Sequence, residues 1–321
     1  MTFRYVRRRL IQVVPAVAGI LLVGFALIEL APGDPVLALA GDSGDEAYYA
    51  DVRTRFGLDR PLPERLLTYA ANMLRGDLGV SYVQGRPVVD IIGERLPPTL
   101  LLTGVALAIS TAIGIALGGL AATRRNRLPD LGIQISTLTI DAAPIFWIGQ
   151  LAILGFSLHL GIFPVQGMSS AQTPQGVVAG TLDLLRHLAL PALVLALGEI
   201  AVVARIARIA FIDELSQDYV RTARAKGLSE RRVVLVHAMR RALIPVSTVI
   251  GGRVGHLISG AVIVEIIFGW PGLGRMLVIA MQTRDMPIIM GMFLIVAVSV
   301  IVANLLTDLF YGWLDPRIAY R

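Results

Sequence analysis

The 321-residue sequence contains no cysteine and a single lysine, Lys226. The first absence excludes disulfides, thiolate nucleophiles and cysteine-bound metals, although it does not settle the compartment. Charged residues make up only 16% of the chain, against about 25% in a soluble domain. No G-x-x-x-x-G-K-[ST] loop is present to cradle phosphates, so the chain does not by itself bind ATP in that manner. No G-x-S-x-G elbow offers an acyl-transfer nucleophile. The four histidines, His159, His187, His237 and His256, form no i, i+4 pair and show no metal-ligand spacing with carboxylates. Neither a catalytic residue nor a metal site is expected, and energy must come from a partner.

What the sequence does have is apolar. Hydrophobic residues reach 55% and mean hydropathy is +0.70, which places the chain in a bilayer. The formal net charge of +6 would suggest nucleic acid in a soluble protein. Here the concentration of arginine on the inner side of a membrane explains it, and no nucleic-acid partner is expected.

The apolar runs define the organisation. Arg4, Arg7, Arg8 and Arg9 precede an apolar stretch from Leu10 to Ala31, which is longer than a signal-peptide core and close to the roughly 20 residues a span needs. Despite Ala38-Leu39-Ala40, which resembles a cleavage site, it is taken as a retained anchor. Further spans are expected at Leu100–Ala122, Leu131–Leu158, Leu188–Phe211, Ser247–Phe268 and Ile288–Trp313, the second of these interrupted by Asp141 and Pro144. With six spans, all four arginine-rich pieces fall on one side and both termini are cytoplasmic. The division is then 1–31 for the cytoplasmic N-terminus and first span, 32–98 for an extracytoplasmic segment, and 99–321 for the transmembrane body. Within 32–98, amphipathic helices are expected at Ala47–Phe56 and Leu62–Leu74, the latter with Leu62, Leu66, Tyr69, Ala70 and Met73 on one face.

One stretch between two apolar runs is unlike the rest. Residues 213–245 carry Arg221, Arg224, Lys226, Arg231, Arg232, Arg240 and Arg241. Alanine and arginine favour a short helix over Tyr219–Lys226, and Gly227 ends it in a left-handed conformation. Ser229 is placed to cap a second helix with Glu230 in its first turn. Val233, Val236, Met239 or Arg240, and Leu243 give that helix one apolar face, and Pro245 is expected to stop the surface run before the next span.

This segment resembles the coupling loop of membrane subunits of ABC importers, in the form YVRTARAKGLSERRVVLVHAMRRALIPV found in the B-type subunits of oligopeptide and dipeptide permeases. The family's Glu-Ala-Ala, three residues and glycine fall on Arg221, Thr222, Ala223 and Gly227. One alanine and the glycine are kept, and the glutamate is not. The phrases PGDP at 32–35, RFGLDRPLP at 55–63, WPGLGR at 270–275 and DPRI at 315–318 extend the resemblance over most of the chain. It implies an all-α integral membrane protein with six transmembrane helices and a coupling helix between the fourth and fifth. ATP and Mg would be bound by partners and not by this chain. Those partners would be a second homologous permease subunit, two cytoplasmic ATPase subunits and an extracytoplasmic substrate-binding protein, in a bacterial cytoplasmic membrane. Tyr219, Arg221, Thr222, Ala223, Arg224, Ala225, Lys226, Gly227 and Leu228 would make the ATPase contact, so that Gly227→Pro or a bulky acidic change at Ala223 would uncouple hydrolysis from uptake. Peptide is the expected cargo, with nickel, glutathione or haem as alternatives. A basic loop that merely enforces topology or touches anionic lipid is the competing reading.

Polar groups inside the spans are costly unless they face protein or water. Asp141, Glu199, His256 and Glu265 are candidates for the translocation path, together with Trp270 in a turn-rich, re-entrant or interfacial segment. Two readings stay open for them, contact with a zwitterionic substrate or ties between helices. Arg205 and Arg208 are expected at the inner end of the fourth span, and Arg253 close enough to the surface to snorkel. A secondary transporter working alone would need paired, interrupted helices in two related halves, and no such internal repeat is visible.

Overall fold

The computed structural model describes residues 15, 17–19, 21–26, 45–55, 59–170 and 176–314, with side chains described throughout except at 52–53, 254–259, 300 and 303–314. Among the described residues the secondary structure is helical, apart from one isolated antiparallel bridge, Val80 to Pro87. The PGDP and DPRI phrases lie outside them.

In chain order the helices are α1 (Val17–Ala26), α2 (Glu46–Arg55), α3 (Leu62–Leu74), α4 (Val88–Thr123), α5 (Leu128–Ala142), α6 (Ile145–His159), α7 (Val177–Leu215), α8 (Asp218–Ala225), α9 (230–267), α10 (Leu273–Thr283) and α11 (Met286–Leu314). Among the described residues three are long and apolar enough to cross a membrane by themselves: α4, α7 and the 230–253 part of α9. The pair α5 and α6 passes the same test together but is bent by 101° at Ala143-Pro144. The sequence foresaw this interruption, because Pro144 brings no N–H and disfavours helix in the residue before it.

Several boundaries differ from expectation. Helix α4 begins at Val88 and runs through Pro97 and Pro98, so the last part of the supposed extracytoplasmic loop is helix. At about 1.5 Å per residue its 36 residues exceed a hydrocarbon core of about 30 Å. Helix α7 starts at Val177 and continues through Pro191. No break in the helix separates the basic segment from the next span, because Pro245 lies inside α9. Residues 233–238 of α9 form a π-helical turn. That turn shifts the phase, so the buried positions are Val233, Ala238, Ala242 and Val246, while Val236 points outward.

The chain divides into two compact units. The larger contains residues 98–274. Its core is built on α7, the most buried of the long helices, with Leu188, Val194, Leu195 and Ile200 packed among Leu102 of α4, Ile153 of α6, and Val264, Phe268 and Trp270. A second cluster joins Val203, Ala207 and Phe211 to Ala238, Ala242 and Val246. Helices α4 and α7 approach closely because Gly114 and Gly118 lack side chains. A Cβ on Gly114 would lie 2.6 Å from Val203, and one on Gly118 would lie 2.5 Å from the Ala207 Cβ and 2.6 Å from the Ala204 carbonyl oxygen. This small-xxx-small pairing is a packing mode suited to lipid, where no hydrophobic force drives helices together.

The smaller unit comprises residues 2–97 and 275–301. Its helix α3 matches the expected Leu62–Leu74, with Met73 buried and Leu62 exposed. In the loop that follows, the buried Asp285 accepts the Ser81 hydroxyl and the backbone N–H groups of Tyr82 and Val83. Burial, with the Asp285 charge next in effect, raises the Tyr82 phenol above its ordinary pKa.

Candidate functional site

The basic segment expected to act as a coupling loop is a closed helical corner. Helix α8 ends at Ala225 with Lys226 as its C-cap, and Gly227 takes φ +77°. The Gly227 N–H donates to the Arg224 carbonyl at 2.9 Å and the Leu228 N–H to the Ala223 carbonyl at 3.3 Å. These are the paired bonds of a Schellman end, and Leu228 packs back on the Val220, Ala223 and Val233 cluster as that motif requires. Nothing lies within 4 Å of a Cβ built at Gly227, so glycine is demanded there by backbone conformation alone.

Ser229 occupies the cap position of α9 without a side-chain capping bond. The corner is closed instead by Arg224, whose Nε donates to Glu230 Oε1 at 2.6 Å. The Tyr219 hydroxyl donates to Glu214 at 2.6 Å, and the Arg241 guanidinium lies 4.6 Å from the Tyr219 ring centre. Burial, reinforced by the Glu214 carboxylate, pushes the Tyr219 phenol up to about 12.

These contacts sort the expected docking residues. Arg221, Thr222, Arg224, Ala225, Lys226 and Gly227 are exposed, and Tyr219 and Leu228 are half-buried. Ala223 is 8% exposed and faces Val220 and Val233. It therefore holds the corner together and does not present a surface.

The polar residues of the spans are also brought together, mostly by α7. Arg253 of α9 donates to both oxygens of Glu199 at 2.8 and 2.9 Å. Arg208 donates to both oxygens of Asp130 at 2.6 and 2.7 Å, and Arg205 donates to Asp141 at 3.1 Å. Arg253 is thus held by Glu199 and does not snorkel, and Arg208 is held by Asp130. The sequence reading passed over Asp130. The signal was available: a carboxylate directly after a helix-starting proline, in a run otherwise free of charge to Asp141.

Glu265 and Trp270 belong to a different arrangement. The Glu265 side chain is fully buried and accepts the Thr99 hydroxyl at 2.6 Å, while Thr99 Oγ1 accepts the Leu273 N–H at 2.8 Å. A Cβ on Gly272 would overlap the Glu265 carboxylate, and one on Gly274 would sit 2.5 Å from the Val262 Cα. Trp270, equally buried, donates its indole N–H to the Pro98 carbonyl at 2.9 Å. The WPGLG turn is therefore shaped to enclose a carboxylate, tying α4 to the end of α9. The side chain of His256 lies outside the described residues.

Two family models cover the chain. Residues 114–320 match the binding-protein-dependent transport system inner membrane component, and residues 2–103 match the corresponding N-terminal component. The chain belongs to the family of binding-protein-dependent transport system inner membrane components. It is 39% identical over 336 residues to the dipeptide transport system permease protein DppB of Escherichia coli K12, covering 99% of both proteins. It is 40% identical over 318 residues to the glutathione transport system permease protein GsiC of Escherichia coli O6:H1, again covering 99% of each. Among solved structures, a chain of the inward-facing MetNI methionine ABC transporter aligns with 70% of this chain and 96% of its own length, at TM-score 0.54 and 13% identity. That likeness supports the permease fold. Within this family, the 114–320 match takes in the helical corner, the three ion pairs and the Gly114 and Gly118 crossing, while Thr99 falls in the N-terminal match.

Proposed function

We propose that this permease is one of two homologous membrane subunits of an ATP-driven, binding-protein-dependent importer of di- and oligopeptides. It would have six spans and both termini in the cytoplasm of a bacterial cell. The observation that carries the reading is the 219–228 corner. One face is locked onto its own support by the Schellman end, the Arg224 to Glu230 pair and the buried Val220, Ala223 and Val233. The other face is exposed and basic, and it follows directly on α7. A push from two ATPase subunits below would pass through a stiff corner into the most buried helix. ATP and Mg would be bound by those ATPases, and this chain would transmit force without bond chemistry. The relatives named as peptide permeases support the cargo, and the glutathione permease at 40% identity keeps that tripeptide as a second reading.

For the pathway, the pair of Asp141 and Arg205 is the best supported site. Their side chains are 40% and 44% exposed in the lone chain. Arg205 lies about 15 Å along α7 from Leu215, within the span expected at Leu188–Phe211. Charges at that depth face water or protein, and a paired acid and base suits the termini of a zwitterionic peptide. Glu199, Glu265 and Trp270 act as helix ties in this account.

Purification from mild detergent followed by an ATPase assay tests the proposal. Co-purification of a second permease and two ATPase chains, with hydrolysis stimulated by a peptide-loaded binding protein, is the expected result. A chain that purifies alone and shows no nucleotide dependence refutes it in favour of a stand-alone transporter.

A further inference from the structure

A groove of about 730 Å³ lies between the end of α4 and the helical corner. Its floor is apolar, formed chiefly by Leu120, Phe211, Leu235 and Met239, and its rim carries Arg124 and Arg231. Arg224 and Glu230 also reach the rim, but they satisfy each other. Arg124 and Arg231 are exposed, and no carboxylate pairs with either among the described residues. Arg124 follows the apolar helix α4 directly, and Arg231 belongs to the basic segment. Both therefore lie on one side of the membrane, at the depth where lipid headgroups begin.

We infer that this groove binds one anionic phospholipid, with its phosphate between Arg124 and Arg231 and an acyl chain on the apolar floor. Two uncompensated cations next to exposed Leu120 and Leu235 ask for a ligand that is anionic at one end and apolar at the other. Basic recesses at the inner surface select anionic headgroups in this way. A free phosphate would satisfy the arginines and leave the floor bare. Because the π-helical turn supplies Val234 and Leu235, a lipid in the groove would brace the start of α9 against α4 and α7. The inference requires only that the chain spans a membrane and is independent of the cargo.

The test is native mass spectrometry of the full chain, and of the complex it purifies with, titrated with phosphatidylglycerol or phosphatidylcholine. The wild type retains one phosphatidylglycerol in preference to phosphatidylcholine, and inorganic phosphate does not displace it. The variant carrying Arg124→Gln and Arg231→Gln binds phosphatidylglycerol roughly thirtyfold more weakly, from two lost charges. Arg125→Gln, outside the groove, leaves binding unchanged, and Gly119→Leu, which fills the floor, weakens it with both arginines intact. Equal retention of the two lipids, displacement by phosphate, or unchanged binding in the double variant overturns the inference. So does a partner polypeptide cross-linked through Leu235→Cys in a complex that carries no such lipid.

Discussion

Replacing Glu199 by glutamine leaves the Arg253 guanidinium opposite a neutral amide in the middle of the helix bundle. The Glu199 side chain is 6% exposed and that of Arg253 is 28% exposed, so the pair is mostly but not wholly withdrawn from solvent. Breaking a buried pair from one side costs about 3–5 kcal/mol. The residual exposure of Arg253, and the through-space action of Asp141 on it, place the expected loss near the lower end, about 3 kcal/mol. Replacing both groups by apolar residues, Glu199→Leu with Arg253→Met, removes the uncompensated charge and is expected to come within about 1 kcal/mol of the wild type. In the cycle whose single variants are Glu199→Leu and Arg253→Met, each expected to lose about 3 kcal/mol, the double variant then loses about 5 kcal/mol less than the two singles added together. Reversible unfolding in mixed detergent and dodecyl sulfate micelles, followed by the fluorescence of the three tryptophans, reads all four proteins. Single variants that unfold with the wild type, or a double variant no better than the worse single, would refute the view that this pair ties α7 to α9.

Other perturbations follow the same logic. Gly118→Ala forces α4 away from Ala204 and Ala207 and is expected to cost about 1–3 kcal/mol in the same unfolding assay, whereas Gly104→Ala, with open space around it, costs almost nothing. Gly272→Ala displaces the buried Glu265 carboxylate from its enclosure, and Glu265→Ala in that background, which removes the overlapped group, is expected to recover part of the stability lost in the same unfolding assay. Gly227→Asn, which tolerates the left-handed conformation, retains more transport than Gly227→Ala, and Gly227→Val retains least, as measured by uptake in proteoliposomes. The raised Tyr219 pKa means that its contribution to stability is complete below about pH 10 and is lost as the pH rises towards about 12. The tyrosinate absorbance difference between wild type and Tyr219→Phe should therefore stay flat near pH 10 and appear only above it.

Most of the helical architecture could be read from the sequence, because long apolar runs and prolines are local signals. Pro144 announced the break between α5 and α6, and Gly227 announced its own left-handed turn. The misreadings share a cause, which is that neighbours outweighed local preference. Pro245 is carried inside α9, and the π-helical turn at 233–238 replaced Val236 with Ala238 on the buried face. The burial of Ala223 against Val220 and Val233 was not legible, because a motif in sequence does not say which face is buried. The ion pairs were half legible, since charge in an apolar run predicts a partner without naming it. Asp130 with Arg208, and Glu199 with Arg253, could be matched only once three helices had been assembled. The Glu265 enclosure was hidden because Thr99 and Gly272 lie far apart in the chain and carry no charge.

The absence of cysteine makes the central claim directly measurable, since any introduced cysteine is unique in the chain. Single cysteines at the exposed positions Thr222 and Ala225 in the corner, and at Val178 at the start of α7, can be combined with a short thiol-to-amine cross-linker in membranes. The account predicts a cross-linked product with a cytoplasmic ATPase from Thr222→Cys and Ala225→Cys, and none from Val178→Cys. Cross-linking from Val178→Cys alone, or from none of the three in membranes that support ATP-dependent uptake, would contradict it.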